Sequence, residues 1–307
     1  MRPCPVCSSA DTRFLTRAWD SEYCTTRELF EYARCAACEV IFLDQPPIDR
    51  LAQIYPKNYY SLAGGGTDSL AKRVKNWLDG RLFRRILART PGDRLAVLDV
   101  GGGSGWLLTL IRQQNPRVAE THEVDLDEAA RAPAEAAGHT FHCTRVEEFH
   151  CDRQFDLILL LNIIEHVADP GLVLRTLASR LAPGGFMLVK TPNIDTLDRR
   201  LFQHRNWGGF HCPRHWVLFN QRSFLDLARR CGLACESVRY TQGAPQWTNS
   251  ILGCLSAAGW VSVTAERPMH THPLHGPLLA LTAMFDFVRL PFMKTAQMFV
   301  LLRRAGA

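Results

Sequence analysis

Four cysteines near the amino terminus, Cys4 and Cys7 in Cys-Pro-Val-Cys and Cys35 and Cys38 in Cys-Ala-Ala-Cys, have the spacing of two metal-binding knuckles. Each knuckle turns two thiolates toward one point, so the pair supplies the four ligands of a tetrahedral Zn2+. The 27 residues between the knuckles leave room for a β-hairpin, and their Thr and aromatic content suits strands. A redox Cys-x-x-Cys opens a helix after a strand, which neither motif does. A closed Cys4 site has no open coordination position, so this Zn2+ is expected to hold structure and do no chemistry, with Cys24 a spare thiol.

A second group lies in "RLAVLDVGGGSGWLLTLIRQ", which reads as a buried strand over 95–100, a glycine turn and a helix. The turn is Asp99-x-Gly101-x-Gly103-x-Gly105. It fails the dinucleotide fingerprint, because Trp106 stands where a glycine is required, and no Walker lysine follows. A carboxylate at the mouth of such a turn repels a pyrophosphate and suits a ligand with a cationic amine or sulfonium. The next strand ends at Asp125, 26 residues after Asp99, where a carboxylate can accept both hydroxyls of a ribose. Together these residues ask for a nucleoside with a positively charged tail.

The third group is imidazole-rich: His166 in "LNIIEHVADP", and His211 and His215 in "GFHCPRHWVLF". His211-Cys212-x-x-His215 is a poor metal site, because 211 and 215 converge only on a helix and Pro213 keeps Cys212 out of the α region. A histidine titrates near neutrality and serves as a general base without much tuning. His215 is expected to take that role, with His166 and His211 in reserve. Glu165 is expected to cap the turn after the fourth strand.

These groups need a scaffold. From about residue 93, apolar strands alternate with amphipathic helices, the mark of a parallel α/β sheet. The chain divides into a Zn2+-binding head (1–48), a helical linker (49–92), a cofactor-binding core (93–240) and a helical insertion with the last strand (241–307). Residues 191–220 follow the fifth strand, on the edge where ligands bind, and are expected to cover the substrate. The insertion is apolar enough to cover a pocket, form a dimer face or lie against a membrane, and its apolar run is too short to cross one.

Composition bounds the rest. A net charge of +6 on 307 residues, mostly from Arg and without long basic runs, makes nucleic acid an unfavoured partner. The start "MRPCPVC" has no apolar leader region, and eleven cysteines in a chain of this size fit reduced thiols, so a cytoplasmic setting is expected.

"LDVGGGSG", "EVDLD", "FDLILLLNIIEHVADP", "LAPGGFMLVKTPN" and "CPRHWVLFNQRSFLDLARRCGL" follow in order the motifs of class I S-adenosylmethionine-dependent methyltransferases. The sequence resembles most the small-molecule branch that includes the ubiquinone-biosynthesis O-methyltransferases, in which a Cys-x-x-Cys head is also common. The resemblance runs from about 95 to 240. It implies a Rossmann-like, seven-stranded, mostly parallel sheet with S-adenosylmethionine over the carboxyl ends of the strands and S-adenosylhomocysteine as product. It places Gly101, Gly102, Gly103 and Gly105 against the methionine part, Asp99 near its amino end, Asp125 and Leu126 at the ribose and Asn162 beside the sulfonium. The family often has an Asp near the adenine; here Arg145 stands there, and the contact falls to Val146 or Glu147. Some ubiquinone-type relatives bind a divalent metal through Glu-x-x-Glu-His, but Asn162 replaces the first Glu, which removes one anionic ligand.

The implied activity is O- or C-methylation of a small molecule, with a lipid-linked acceptor, a membrane surface and a homodimer all left open. Two other readings remain. An RNA methyltransferase could use the head as its reader, although the head has no Lys and the fourth strand lacks an Asn-Pro-Pro-aromatic end. A cofactor-binding regulatory protein without catalysis is the other.

Overall fold

A computed structural model describes residues 1–56, 59, 70–204 and 206–306. The head holds β1 (Thr12–Ala18), β2 (Phe30–Cys35) and β3 (Ile41–Leu43), followed by a short α1 (Leu51–Ile54) and a long α2 (Leu70–Leu87). The core then alternates: β4 (Leu95–Val100), α3 (Trp106–Gln114), β5 (Val118–Asp125), α4 (Arg131–Ala136), β6 (Thr140–Cys143), β7 (Phe155–Leu161), α5 (Pro170–Ser179) and β8 (Leu181–Pro192). It continues through α6 (Leu197–Phe202), β9 (Val217–Leu218), α7 (Gln221–Arg230) and β10 (Leu233–Thr241). A helical pair, α8 (Ala244–Ala257) and α9 (His275–Arg289), precedes the last strand, β11 (Gln297–Arg304). The expected linker, 49–92, and the covering segment, 191–220, each lie partly outside the described residues.

Seven strands form one sheet in the order β10-β11-β8-β7-β4-β5-β6, parallel except for β11, which runs antiparallel to both of its neighbours. This is the expected Rossmann-like class I fold. All six residues of β4 are buried, because helices cover both faces of the sheet. Strand alternation sends Ala96, Leu98 and Val100 to one face and Leu95 and Val97 to the other. The first face packs on α5 and α7 through Val173, Leu177, Phe224 and Leu227. The second packs on α2 and α3 through Phe83, Ile86, Leu87, Leu108 and Ile111.

The head is joined to the core by more than a linker. Its sheet runs β1-β2-β3-β9, with Ile41 paired to Leu218 and Phe42 to Val217, so its fourth strand comes from the segment after β8. Tyr32, Phe42, Val217 and Phe219 are fully buried in the same apolar cluster as the α5 face of the large sheet. Among the described residues no helix is long and apolar enough to cross a membrane.

Candidate active site

The glycine turn sits between the carboxyl ends of β4 and β5. Gly101, Gly103 and Gly105 have φ of +77°, +63° and +71°, the left-handed region that favours glycine. A Cβ at Gly101 would come within 2.2 Å of Ile163 Cδ1, whereas one at Gly103 meets nothing within 4 Å, leaving that side of the loop open to a ligand. The Gly103 amide donates to Asp125 Oδ2 at 3.0 Å and the Asp127 amide to Oδ1 at 2.9 Å, so Asp125 is aimed across the turn. Leu126 beside it is exposed, an apolar surface next to Asp125.

Beneath the turn lies a residue that the sequence reading missed. Glu123, fully buried on β5, accepts from the Gly102 amide at 2.6 Å, and its other oxygen and Asp99 Oδ2 have no hydrogen-bond partner. Burial, then the neighbouring carboxylates, pushes Asp99 up to about 7 and Glu123 up to about 11. Glu123 therefore keeps its proton at neutral pH and Asp99 is about half ionised, and a cationic centre seated above the open glycine cradle would favour their ionised forms. The residues present therefore fit S-adenosylmethionine. Asn162, at φ +59° after β7, donates its amide to the Lys190 carbonyl at 2.8 Å and stands at the end of the next strand. Val146 is buried in the core and Glu147 pairs with Arg145 at 3.3 Å.

The three candidate histidines come together. The His166 and His215 rings are 4.8 Å apart, and His211 and His215 are 5.0 Å apart. The expectation that 211 and 215 converge only on a helix is wrong. A turn does it instead: His211 is left-handed (φ +38°), the Arg214 amide donates to the His211 carbonyl at 2.8 Å, and the Cys212–Pro213 peptide is cis. Each ring has its tautomer fixed by an acceptor at Nδ1. His215 Nδ1 donates to the Gly209 carbonyl at 2.8 Å, His166 Nδ1 to the Arg214 carbonyl at 3.0 Å, and His211 Nδ1 to Glu22 Oε2 at 2.8 Å. The Nε2 atoms of His166 and His215 are thereby left as proton acceptors, and the Tyr59 hydroxyl lies 3.0 Å from Nε2 of His211.

Burial, then the neighbouring imidazoles, holds His215 well below its usual range, and burial with His211 and Arg214 holds His166 down at about 3. Both are neutral at ordinary pH. Glu165 does not cap a turn. It is fully buried, accepts from the Thr191 hydroxyl at 3.0 Å, keeps its other oxygen unpartnered, and is pushed up to about 8 by burial. One ligand atom each from Glu165, His166 and His215 lies within 4.8 Å of the others, a carboxylate–bis-imidazole set with the donor chemistry for a divalent cation.

The head supplies the walls of this cluster, which the sequence reading did not foresee. Asp20 and Arg214 form a fully buried bidentate pair at 2.8 and 3.2 Å, and Arg214 Nε donates to the Ile54 carbonyl at 2.7 Å. Burial alone would raise the Asp20 carboxyl, but the Arg214 charge and the Thr25 and Tyr23 donors outweigh it and hold the carboxyl below its usual value. Tyr23 and Tyr59 stack near the guanidinium, and the Tyr55 hydroxyl lies 2.9 Å from His166 Nδ1. The one sequence signal was "WDSEY" inside the expected hairpin, two acids between aromatics.

The four knuckle thiols converge as expected. Cys4 and Cys38 sulfurs are 3.6 Å apart, Cys7 and Cys35 are 3.5 Å apart, and all four lie within 4.8 Å of one another. Tetrahedral Zn–S bonds of about 2.3 Å put sulfurs about 3.8 Å apart, so the set fits Zn2+. Cys24 stays apart, near the Val263 carbonyl.

Comparison with known proteins bears on the family and the fold. A family described as "Methyltransferase domain" matches residues 71–238, more than half of the chain. The ubiquinone biosynthesis O-methyltransferase of Nitrobacter winogradskyi is 33% identical over 124 residues, covering 38% of this chain and 41% of that protein. The tRNA 5-carboxymethoxyuridine methyltransferase of Escherichia coli is 32% identical over 146 residues, covering 45% of this chain and 53% of that protein. The chain thus spans about half the length of the curated relatives it matches. Among solved structures, coclaurine N-methyltransferase bound to N-methylheliamine and S-adenosylhomocysteine superposes with a TM-score of 0.53 at 14% identity, covering 84% of this chain and 82% of that one. The chain belongs to the methyltransferase-domain family, on the class I S-adenosylmethionine-dependent fold.

Proposed function

We propose that the protein is an S-adenosylmethionine-dependent methyltransferase acting on a small-molecule O–H or activated C–H acceptor, with His215 as general base. The observation that carries the base assignment is the committed Nδ1 of His215, which leaves a neutral Nε2 facing His166 within one buried cluster. Bound S-adenosylmethionine supplies an activated methyl whose carbon–sulfur bond breaks toward neutral sulfur as the acceptor's electron pair closes on carbon. The chain's residues orient and deprotonate. Asp125 and the Gly103 edge hold the nucleoside, the Asp99–Glu123 pair favours the cationic end, and His215 Nε2 takes the acceptor proton. His166 and His211 lie beside it, and Glu22 fixes the tautomer of His211. A Zn2+ held by Cys4, Cys7, Cys35 and Cys38 keeps the head folded, so that Asp20 and Glu22 stay in place.

Small-molecule acceptors are favoured because His211, Arg214 and His215 are buried, with only His166 and Tyr55 half-buried, and the head carries no excess of basic residues for a nucleic-acid backbone. The test is S-adenosylhomocysteine release over a panel of catechols, phenols and sugar derivatives. His215→Ala lowers turnover roughly 100-fold or more with S-adenosylhomocysteine affinity intact; unchanged turnover refutes the base assignment. Turnover on tRNA alone would favour the RNA reading.

A further inference from the structure

The net charge of the chain is +6, and most of it sits on one helix. α2 carries six of the 36 basic residues and one of the 30 acidic ones, a net +5 over 18 residues. One apolar stripe of α2, Phe83, Ile86 and Leu87, packs on the sheet. A second stripe points outward: Val74, Trp77 (57% exposed) and Leu78, at helical spacing, with exposed Arg73, Lys75, Arg81 and Arg85 around it and the Arg81 guanidinium 4.9 Å from the Trp77 ring. Packing needs only the inward stripe, so the outward one is surplus to folding.

The amino-terminal end of this face borders the cofactor edge, and the helix runs from there along the sheet past the end of α3, where Gly80 meets Gln114. Lys75 Nζ lies 4.9 Å from the ring of Trp106, the residue that follows Gly105 and opens α3. A second exposed apolar run borders the same edge. Phe287, Val288, Phe292 and Met293 lead through Lys294 into β11, whose first residue pairs with Pro192 at the carboxyl end of β8.

We infer that the carboxyl-terminal edge of the sheet docks on an anionic lipid surface, with α2 as the principal contact. The charge is complementary to acidic headgroups, and a basic helix with Trp and aliphatic side chains on its outer face is the chemistry of an interfacial helix. A nucleic-acid backbone would meet the cations but would leave Val74, Leu78 and Val288 in water. Docking goes beyond methyl transfer and does not depend on it, and it turns the cofactor edge toward acceptors that reside in or on the lipid.

Co-sedimentation of the full chain tests this, with vesicles of phosphatidylcholine alone and with about 30% phosphatidylglycerol. The chain binds the anionic vesicles, and binding weakens as salt is raised. Reversing three cations (Arg73→Glu, Arg81→Glu, Arg85→Glu) weakens binding at least about 100-fold, and Trp77→Ser with Leu78→Ser weakens it about tenfold. Melting temperature, read on each variant, separates lost docking from lost fold, and the salt titration of the unaltered chain stands if a variant does not fold. Equal binding to neutral and anionic vesicles, or unchanged binding of either variant, overturns the proposal. Binding to heparin or tRNA at the same salt without vesicle binding overturns it in favour of a polyanion partner.

Discussion

The cofactor edge and the histidine cluster are both built at the carboxyl ends of strands, yet they are assembled in opposite ways. At the cofactor edge, Asp99, Gly101, Gly103, Glu123 and Asp125 come from two adjacent strands and the turn between β4 and α3. The histidine cluster draws on Asp20 and Glu22 from the head, Ile54, Tyr55 and Tyr59 from the linker, Glu165 and His166 after β7, and His211 to His215 from the segment before β9. The first site is local and should survive damage to the head. The second is an interface between modules and should not.

Removing the proposed Zn2+ should separate the two most sharply. Structural Zn2+ contributes about 10 kcal/mol or more to small modules, so chelation or Cys35→Ser should unfold the head. Hydrogen exchange should then rise at 30–43 and 209–219 while 95–125 stays protected and S-adenosylhomocysteine still binds. Uniform loss of protection would mean that the two regions are one cooperative unit.

The next largest effect is expected from Asp20→Ala, which leaves the Arg214 guanidinium buried without its carboxylate and costs about 3–5 kcal/mol in urea unfolding. The cofactor edge responds instead to pH. Asp99 holds its proton up to about 7 in the fold and releases it near 3.8 when unfolded, so the folded chain binds the extra proton between those values. Its contribution is fully present below about 3.8 and is lost as pH rises through about 7. Asp99→Asn should flatten that slope and stabilise the protein at pH 8 by about 2–4 kcal/mol, while weakening S-adenosylhomocysteine binding. Thermal melts across pH check the first part and calorimetry the second. The smallest effect is Asp125→Ala, which should weaken S-adenosylhomocysteine about 10- to 100-fold and leave the histidine cluster and the fold unchanged.

The same contrast decides what could be read from the sequence. The strand at 95–100, the end of the next at Asp125 and the glycine turn are written in contiguous periodicity and turn chemistry, the seven-stranded sheet is what the family resemblance implies, and the structure reproduces them. The Cys knuckles were legible for the same reason. The partners of the histidines were not: Glu22 meets His211 across 189 positions and Asp20 meets Arg214 across 194, and no local pattern encodes such pairings. Glu123 was hidden by alternation, since an inward acid on a buried strand looks like its outward neighbours until the register is known. The convergence of His211 and His215 was misread because helical spacing was the only geometry considered, whereas a left-handed residue and a tight turn bring the rings together.

The central claim is that the two sites face each other across one acceptor. A crystal structure with S-adenosylhomocysteine bound tests it most directly. The account predicts the ribose on Asp125 and the sulfur turned toward His215 Nε2, separated from it by the space of one small acceptor. A sulfur directed away from the histidines, or a nucleoside that bypasses the Gly101–Gly105 turn, would contradict it.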